Sequence, residues 1–202
     1  MPETTTTTKP ESIVLGSGTA YLMNVKDAGS LDDFDALITK VCTEDHKLGS
    51  TKNGATLTYT TTNYTASSDL GDVKKTVLQA ESAALALGII TVGPKLLSYV
   101  IETADTRQTD GGLTVVSIGG VGNADGNEYI LIFHHEDKLD GDIYVAICGK
   151  NTAELSLAFS QENETIVNPT FTANPKKINS RDGVLIQIAF ADPKSSTGQE
   201  GQ

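Results

Sequence analysis

Between Ala55 and Ser67 apolar and polar positions alternate, with Leu57 and Tyr59 on one side and Thr56, Thr58 and Thr60 on the other. A period of two marks a half-buried strand, and β-branched threonine suits a pleated surface. The turn Ser68-Asp-Leu-Gly-Asp72 follows. Alternation then resumes from Val73 to Ala83, placing Leu78 and Ala80 opposite Lys75, Gln79 and Glu81. The two runs predict a hairpin over 55–83. Further strands are predicted at Leu113–Ile118, Glu128–His135, Asp142–Gly149, Ala153–Ser160 and Val184–Phe190, separated by turn clusters such as Gly122–Asn127 and Asp140–Asp142. In Ala153–Ser160 the apolar Ala153, Leu155, Leu157 and Phe159 alternate with Glu154, Ser156, Ala158 and Ser160. An earlier run from Ile13 to Val25 is interrupted at Gly16-Ser-Gly18, which predicts a strand with a bend or bulge.

Two stretches break this pattern. Residues 26–54 carry Asp27, Gly29, Asp32, Asp33, Asp35, Gly49 and Gly54 around a short apolar island at Leu37, Ile38 and Val41, and read as a long excursion from the sheet. Gly93-Pro94 opens the one predicted helix, 94–104, whose Leu96, Leu97, Val100 and Ile101 share a face that caps the sheet. Many short strands with one helix predict a mainly β chain, a sandwich or barrel with one flanking helix and a long extended loop. The Thr-rich residues 1–11 and the polar residues 193–202 offer nothing to bury and are expected to be mobile ends around a single unit, 12–192.

Composition narrows the function. The formal net charge of −11 excludes a surface that grips phosphate backbones. No basic leader followed by an apolar run opens the chain, and no apolar stretch approaches a bilayer span, so a soluble protein without a secretion signal or membrane partner is expected. Cys42 and Cys148 stand far apart in sequence without metal-ligand spacing and are expected to be reduced packing residues.

No catalytic constellation emerges. His134 and His135 are adjacent on a strand and so point to opposite faces, which does not chelate one ion; they read as a strand end with one ring buried and one exposed. Asp137–Asp142 fails the calcium-loop spacing and reads as a hairpin turn, and Gly119-Gly-Val-Gly122 lacks the lysine and helix of a phosphate loop. Cys42 and His46 are separated by Glu44 and Asp45, which disfavour a thiolate. The residues therefore suggest a non-enzymatic protein with no cofactor and no metal.

The segment Leu48-Gly-Ser-Thr-Lys-Asn-Gly-Ala-Thr-Leu-Thr-Tyr59, then Ser68-Asp-Leu-Gly-Asp-Val73 and Val77-Leu-Gln-Ala-Glu-Ser82, resembles the major tail (tail tube) proteins of long-tailed bacteriophages. Asn151-Thr-Ala-Glu-Leu-Ser-Leu-Ala-Phe159, Asn168-Pro-Thr-Phe-Thr-Ala-Asn-Pro175 and Asp182-Gly-Val-Leu-Ile-Gln-Ile188 resemble that family's closing strands in the same order, so that the likeness spans 13–192. It departs at the apolar Ala83–Ile90, where more polar residues are expected before the helix.

The resemblance implies a tail-tube β-sandwich assembled with copies of itself into rings, usually hexameric, that stack into a conduit through which DNA passes without specific binding. It further implies a virion protein assembled in the host bacterial cytoplasm, with tail tip, tape measure and tail terminator proteins as partners. On this reading the excursion 26–54 is an intersubunit arm, with Asp27, Asp32, Asp33, Phe34, Leu37, Ile38, His46 and Lys47 as candidate contacts. The polar faces of the hairpin and of 153–160, carrying Thr56, Thr58, Thr60, Gln79, Glu81, Glu154, Ser156 and Ser160, are the candidate channel wall. Two other readings are a tube from a contractile injection or secretion machine and a β-sandwich adhesin or carbohydrate-binding module. The second would carry a secretion signal and exposed aromatics for sugar stacking.

Overall fold

The computed structural model describes residues 17–192 apart from Lys138, and this region is mainly β. In chain order it contains β1 (Thr19–Asn24), α1 (Val25–Ala28), α2 (Phe34–Val41), β2 (Lys47–Gly49), β3 (Thr51–Ser67), β4 (Lys74–Ile89), α3 (Pro94–Val100), β5 (Ala104–Gln108), β6 (Thr114–Ile118), β7 (Tyr129–His135), β8 (Ile143–Asn151), β9 (Thr170–Ala173), β10 (Lys176–Ile178), β11 (Arg181–Val184) and β12 (Ile186–Phe190). One antiparallel sheet runs in the order β2-β1-β7-β8-β9-β4-β3, with β12 also paired to β8. The pairs β5–β6 and β10–β11 are separate hairpins.

The register along β8 explains the odd position of β12. Gly149–Asn151 face Ala173–Phe171, while Ile147–Ile143 face Ile186–Phe190. β9 and β12 thus lie end to end on the same flank, and residues 174–185, including the β10–β11 hairpin, loop out between them. Gly149 sits where this row meets β8, because a Cβ there would overlap the backbone carbonyl of Thr172.

The sheet curls so that the inner faces of its two halves share a core. Ala20, Leu22, Leu131 and Ile147 meet Ala83, Leu85, Leu87, Ile89 and Phe171, and α3 closes the cluster with Leu96 and Val100. Each Leu, Ile, Val or Phe among them contributes about 1.5–3 kcal/mol on leaving water. The apolar Ala83–Ile90 is therefore the proximal half of β4. Its odd-numbered residues from Ala83 to Ile89 are buried, and Ala84, Ala86 and Gly88 keep the other face small.

A second cluster occupies the opposite face of β1, β7 and β8, where Met23, Ile130, Ile132, Ala146 and Cys148 are covered by Leu37 and Val41 of α2 and Ala28 of α1. This corrects the expectation for 26–54. The segment is not an extended loop: Asp33 caps α2 by accepting from the Ala36 amide at 3.0 Å, and Leu37 and Val41, four residues apart, form its buried stripe.

Other differences are smaller. Among the described residues the expected strand at 153–160 pairs in no ladder, the helix expected at 94–104 ends at Val100, and the run from Ile13 contains β1 over Thr19–Asn24. Ile13–Gly16 and the two end segments, 1–11 and 193–202, lie outside the described residues.

Candidate assembly surface

The longest strands, β3 and β4, are 17 and 16 residues. They stay paired from Thr51↔Ile89 to Ser67↔Lys74, but burial ends at Ala83. Beyond the pair Tyr59↔Ala83 both strands are exposed on both faces out to the turn at 68–73. The free part, Thr60–Ser67 with Lys74–Ser82, extends roughly 25 Å at about 3.3 Å per residue. Its apolar side chains are uncovered: Leu70 at the tip is 91% exposed and Tyr64 57%. A two-stranded ribbon of this kind is marginal alone in water.

Both edges of the ribbon are open as well. Among the described residues β3 pairs only with β4, and on its other side β4 pairs with β9 only over Ala84–Ala86. Past that point β4 parts from the row that β12 continues, leaving a cleft of about 340 Å³ lined by Tyr59, Glu81 and Arg181–Ile186. Within it the Tyr59 hydroxyl donates to Glu81 Oε2 at 2.6 Å, which raises the phenol's pKa above its ordinary value.

Register divides the residues expected to line one wall. Thr56, Thr58 and Thr60 face Ala86, Ala84 and Ser82 across the ladder, on the side away from the core. Glu81 faces Thr61 and bonds Tyr59, on the side that becomes the core face at Ala83, so it does not share a surface with those threonines. Gln79 has no cross-strand partner: Thr62 pairs with Ala80 and Asn63 with Leu78, making Gln79 the extra residue of a bulge.

The threonine face continues onto β9 through Thr170 and Thr172, and Thr172 Oγ1 lies 2.8 Å from Thr152 Oγ1. Glu154 and Ser156 are exposed on the same side of their segment as Thr152, and Ser160 is exposed further along. Over Thr56–Thr62 and Ala80–Ala86 the outward face, of Thr, Ser and Ala, carries no ionisable group.

The residues expected to form an arm are engaged within the fold. Leu37 is buried, and Phe34 and Ile38 are partly so. Asp33 is the α2 cap, and Asp32 Oδ1 accepts from the Asn179 amide at 2.6 Å, tying the β10–β11 turn to the start of α2. His46 Nδ1 lies 2.9 Å from Thr43 Oγ1, Lys47 pairs with Tyr21 in β2–β1, and Asp27 sits in the first turn of α1. A segment anchored at so many points cannot reach out as a free arm; the projecting element is the ribbon.

The histidines do point to opposite faces, but neither ring is exposed. His134 stacks on Tyr144 at 4.3 Å and approaches the buried Asp142 with Nε2 at 3.2 Å, while His135, 5% exposed, has Nδ1 2.9 Å from the Ser17 carbonyl. Burial and Asp142 push Tyr144 up to about 12. Asp137 Oδ1 accepts the amides of Leu139 and Asp140, organising the β7–β8 turn. Both thiols are free, and burial raises each to about 11, above the range of a reactive thiolate. Among the described residues no helix is long and apolar enough to cross a membrane. Comparison with known proteins returned no family profile that matches the chain and no curated protein that aligns with it.

Proposed function

We propose that this chain is the subunit of a bacteriophage tail tube: a structural protein that closes head-to-tail into rings and stacks them into a conduit for DNA. The observation that carries the reading is the ribbon, which among the described residues is exposed on both faces and unpaired along both edges. Long open edges are a hazard that folded proteins cover or blunt, and ring closure covers one protomer's edge with a different edge of the next. The family resemblance points the same way and suggests hexameric rings. It also suggests assembly in the host cytoplasm into the virion tail, with tip, tape measure and terminator proteins at the ends.

On this reading the threonine face of β3–β4 lines the channel. Over Thr56–Thr62 and Ala80–Ala86, hydroxyls and small side chains keep a bore hydrated and present no cation to the phosphates, so DNA slides there without holding on; Lys75, opposite Ala66, is the cation of that face nearer the tip. Glu154, repeated around a ring, adds repulsion on that side, while Glu81 belongs to the cleft behind the wall. The protein performs no chemistry here; its work is self-assembly.

Negative-stain electron microscopy of the purified protein over a range of concentrations tests the proposal. Rings or tubes with a stain-filled centre are expected. A chain that stays monomeric at every concentration would overturn the reading.

A further inference from the structure

Residues 153–160 have the burial of a strand and the bonding of none. Ala153, Leu155 and Leu157 are half-buried, the last two against the main core, while Glu154, Ser156 and Ala158 are exposed, the period of two expected of extended chain. Yet among the described residues the amides and carbonyls of Glu154–Phe159 make no backbone–backbone hydrogen bond. The one bond to their backbone is side-chain mediated, from Thr165 Oγ1 to the Ala158 carbonyl at 2.7 Å. At the segment's end Phe159 is 84% exposed.

We infer that this edge is the acceptor for a neighbouring protomer, whose free β3 edge adds to it as a strand over the ribbon residues Thr58–Thr65. The inference rests on the ring reading above and identifies which two surfaces meet. Charge selects the occupant. Residues 153–166 carry Glu154, Glu162 and Glu164 with no lysine or arginine, so the segment pairing with its own copy would set like charges together. β3 carries no acidic residue along its whole length; its single charge, Lys52, pairs with Glu164 of the same chain, and Thr58–Thr65 carries no charge to repel the glutamates, while Lys74 and Lys75 stand beside Asp69 and Asp72 at the ribbon's end. The surfaces differ, so the contact is heterologous, the type that closes rings. Strand addition supplies the missing backbone partners, and Phe159, in step with Leu155 and Leu157, comes to the core side of the ribbon, where Leu78 is exposed opposite Asn63.

Hydrogen exchange read by mass spectrometry, on monomer and on assembled protein, tests the pairing. Assembly is expected to slow exchange of the 154–159 and 58–65 amides by about tenfold or more, together. Two proline variants, Ser156→Pro and Phe159→Pro, remove amides that point to opposite sides of the segment. Neither breaks an internal backbone bond, and at least one is expected to raise the critical concentration for assembly about tenfold while the monomer's circular dichroism is unchanged. Should a variant misfold, the exchange pattern of the unaltered chain decides alone. Rings whose 154–159 amides exchange as fast as in the monomer would overturn this inference and leave the tube reading standing. Absence of rings from the unaltered protein would overturn both.

Discussion

The ribbon can be removed without touching the core, and the consequence separates an assembly element from a structural one. Thr60 and Ser82 are cross-strand partners, so replacing Thr61–Glu81 with Asn-Gly closes the hairpin at that rung with a turn suited to two-residue loops. Every residue removed is exposed, and even Val77, Leu78 and Tyr64 keep 42%, 56% and 57% of their surface in water, so the apolar burial lost is small beside about 1.5–3 kcal/mol for each core side chain. The ladder hydrogen bonds lost are worth roughly 0.5–1.5 kcal/mol each, but ordering the backbone they hold costs about 1–2 kcal/mol per residue, so the free ribbon contributes little net stability. The shortened chain should therefore melt cooperatively with stability changed by no more than about 1 kcal/mol, a shift of about 2–4 °C at this size. Electron microscopy and sedimentation should find monomers only. Thermal circular dichroism showing a fall above about 10 °C would mean that the ribbon supports the core. Tubes formed by the shortened chain would refute its role in assembly.

The same bookkeeping gives the opposite result for 26–54. Leu37→Ala should cost about 2–5 kcal/mol in denaturant unfolding, and deleting Asp27–Lys47 should abolish folding, because Met23, Ile130, Ile132 and Cys148 would lose their cover; a well-folded deletion would refute this packing. Burial raises both thiols from 9.0 to about 11 in the folded chain. Stability is thus undiminished below pH 9 and falls between pH 9 and 11, as unfolded thiols ionise first, by about 2–3 kcal/mol for the well-buried Cys148 and less for the partly exposed Cys42. Urea titrations across that window check it, with Cys148→Ser removing part of the slope and the raised Tyr144 adding to it above pH 10; a flat profile would contradict it. On the tube reading, virions carrying Thr58→Lys with Thr60→Lys should keep intact tubes and eject DNA more slowly, most at low salt, whereas Glu81→Lys on the other face should not slow ejection. Unchanged ejection in the double variant would remove the threonine face from the channel wall.

How far the sequence could be read depended on how far each signal was local. The alternation from Ala55 located β3, where one partly buried face imposes a period of two, whereas β7 and β8, buried on both faces, stood out as apolar runs between turn clusters. The α2 helix was present as an Asp33 cap and a Leu37/Val41 spacing, but the surrounding aspartates and glycines masked so short a stripe. The strands β9, β10 and β11 are three or four residues each and are fixed by tertiary pairing, so no pattern announced them. Face assignments failed where a wrong parity carried no local penalty. Glu81 and Thr60 are both polar and both exposed, and only the register Thr60↔Ser82 shows that they lie on opposite sides.

The misread segments share a physical cause. Ala153–Ser160 has the alternation of a strand because its inner side chains meet the core, yet the described residues supply no ladder partner for it, and Thr60–Ser82 has ladder partners but no core among them. Each is half of a β structure, and each lacks what the other has free. Side-chain alternation records burial of a face, while ladder formation requires a neighbour at an edge; within one copy these two requirements come apart at these two places. A sequence selected for a closed assembly is under pressure to satisfy both only in the ring. Unmatched edges and uncovered faces in the single chain are then where the sequence pattern and the monomer's hydrogen bonding should diverge.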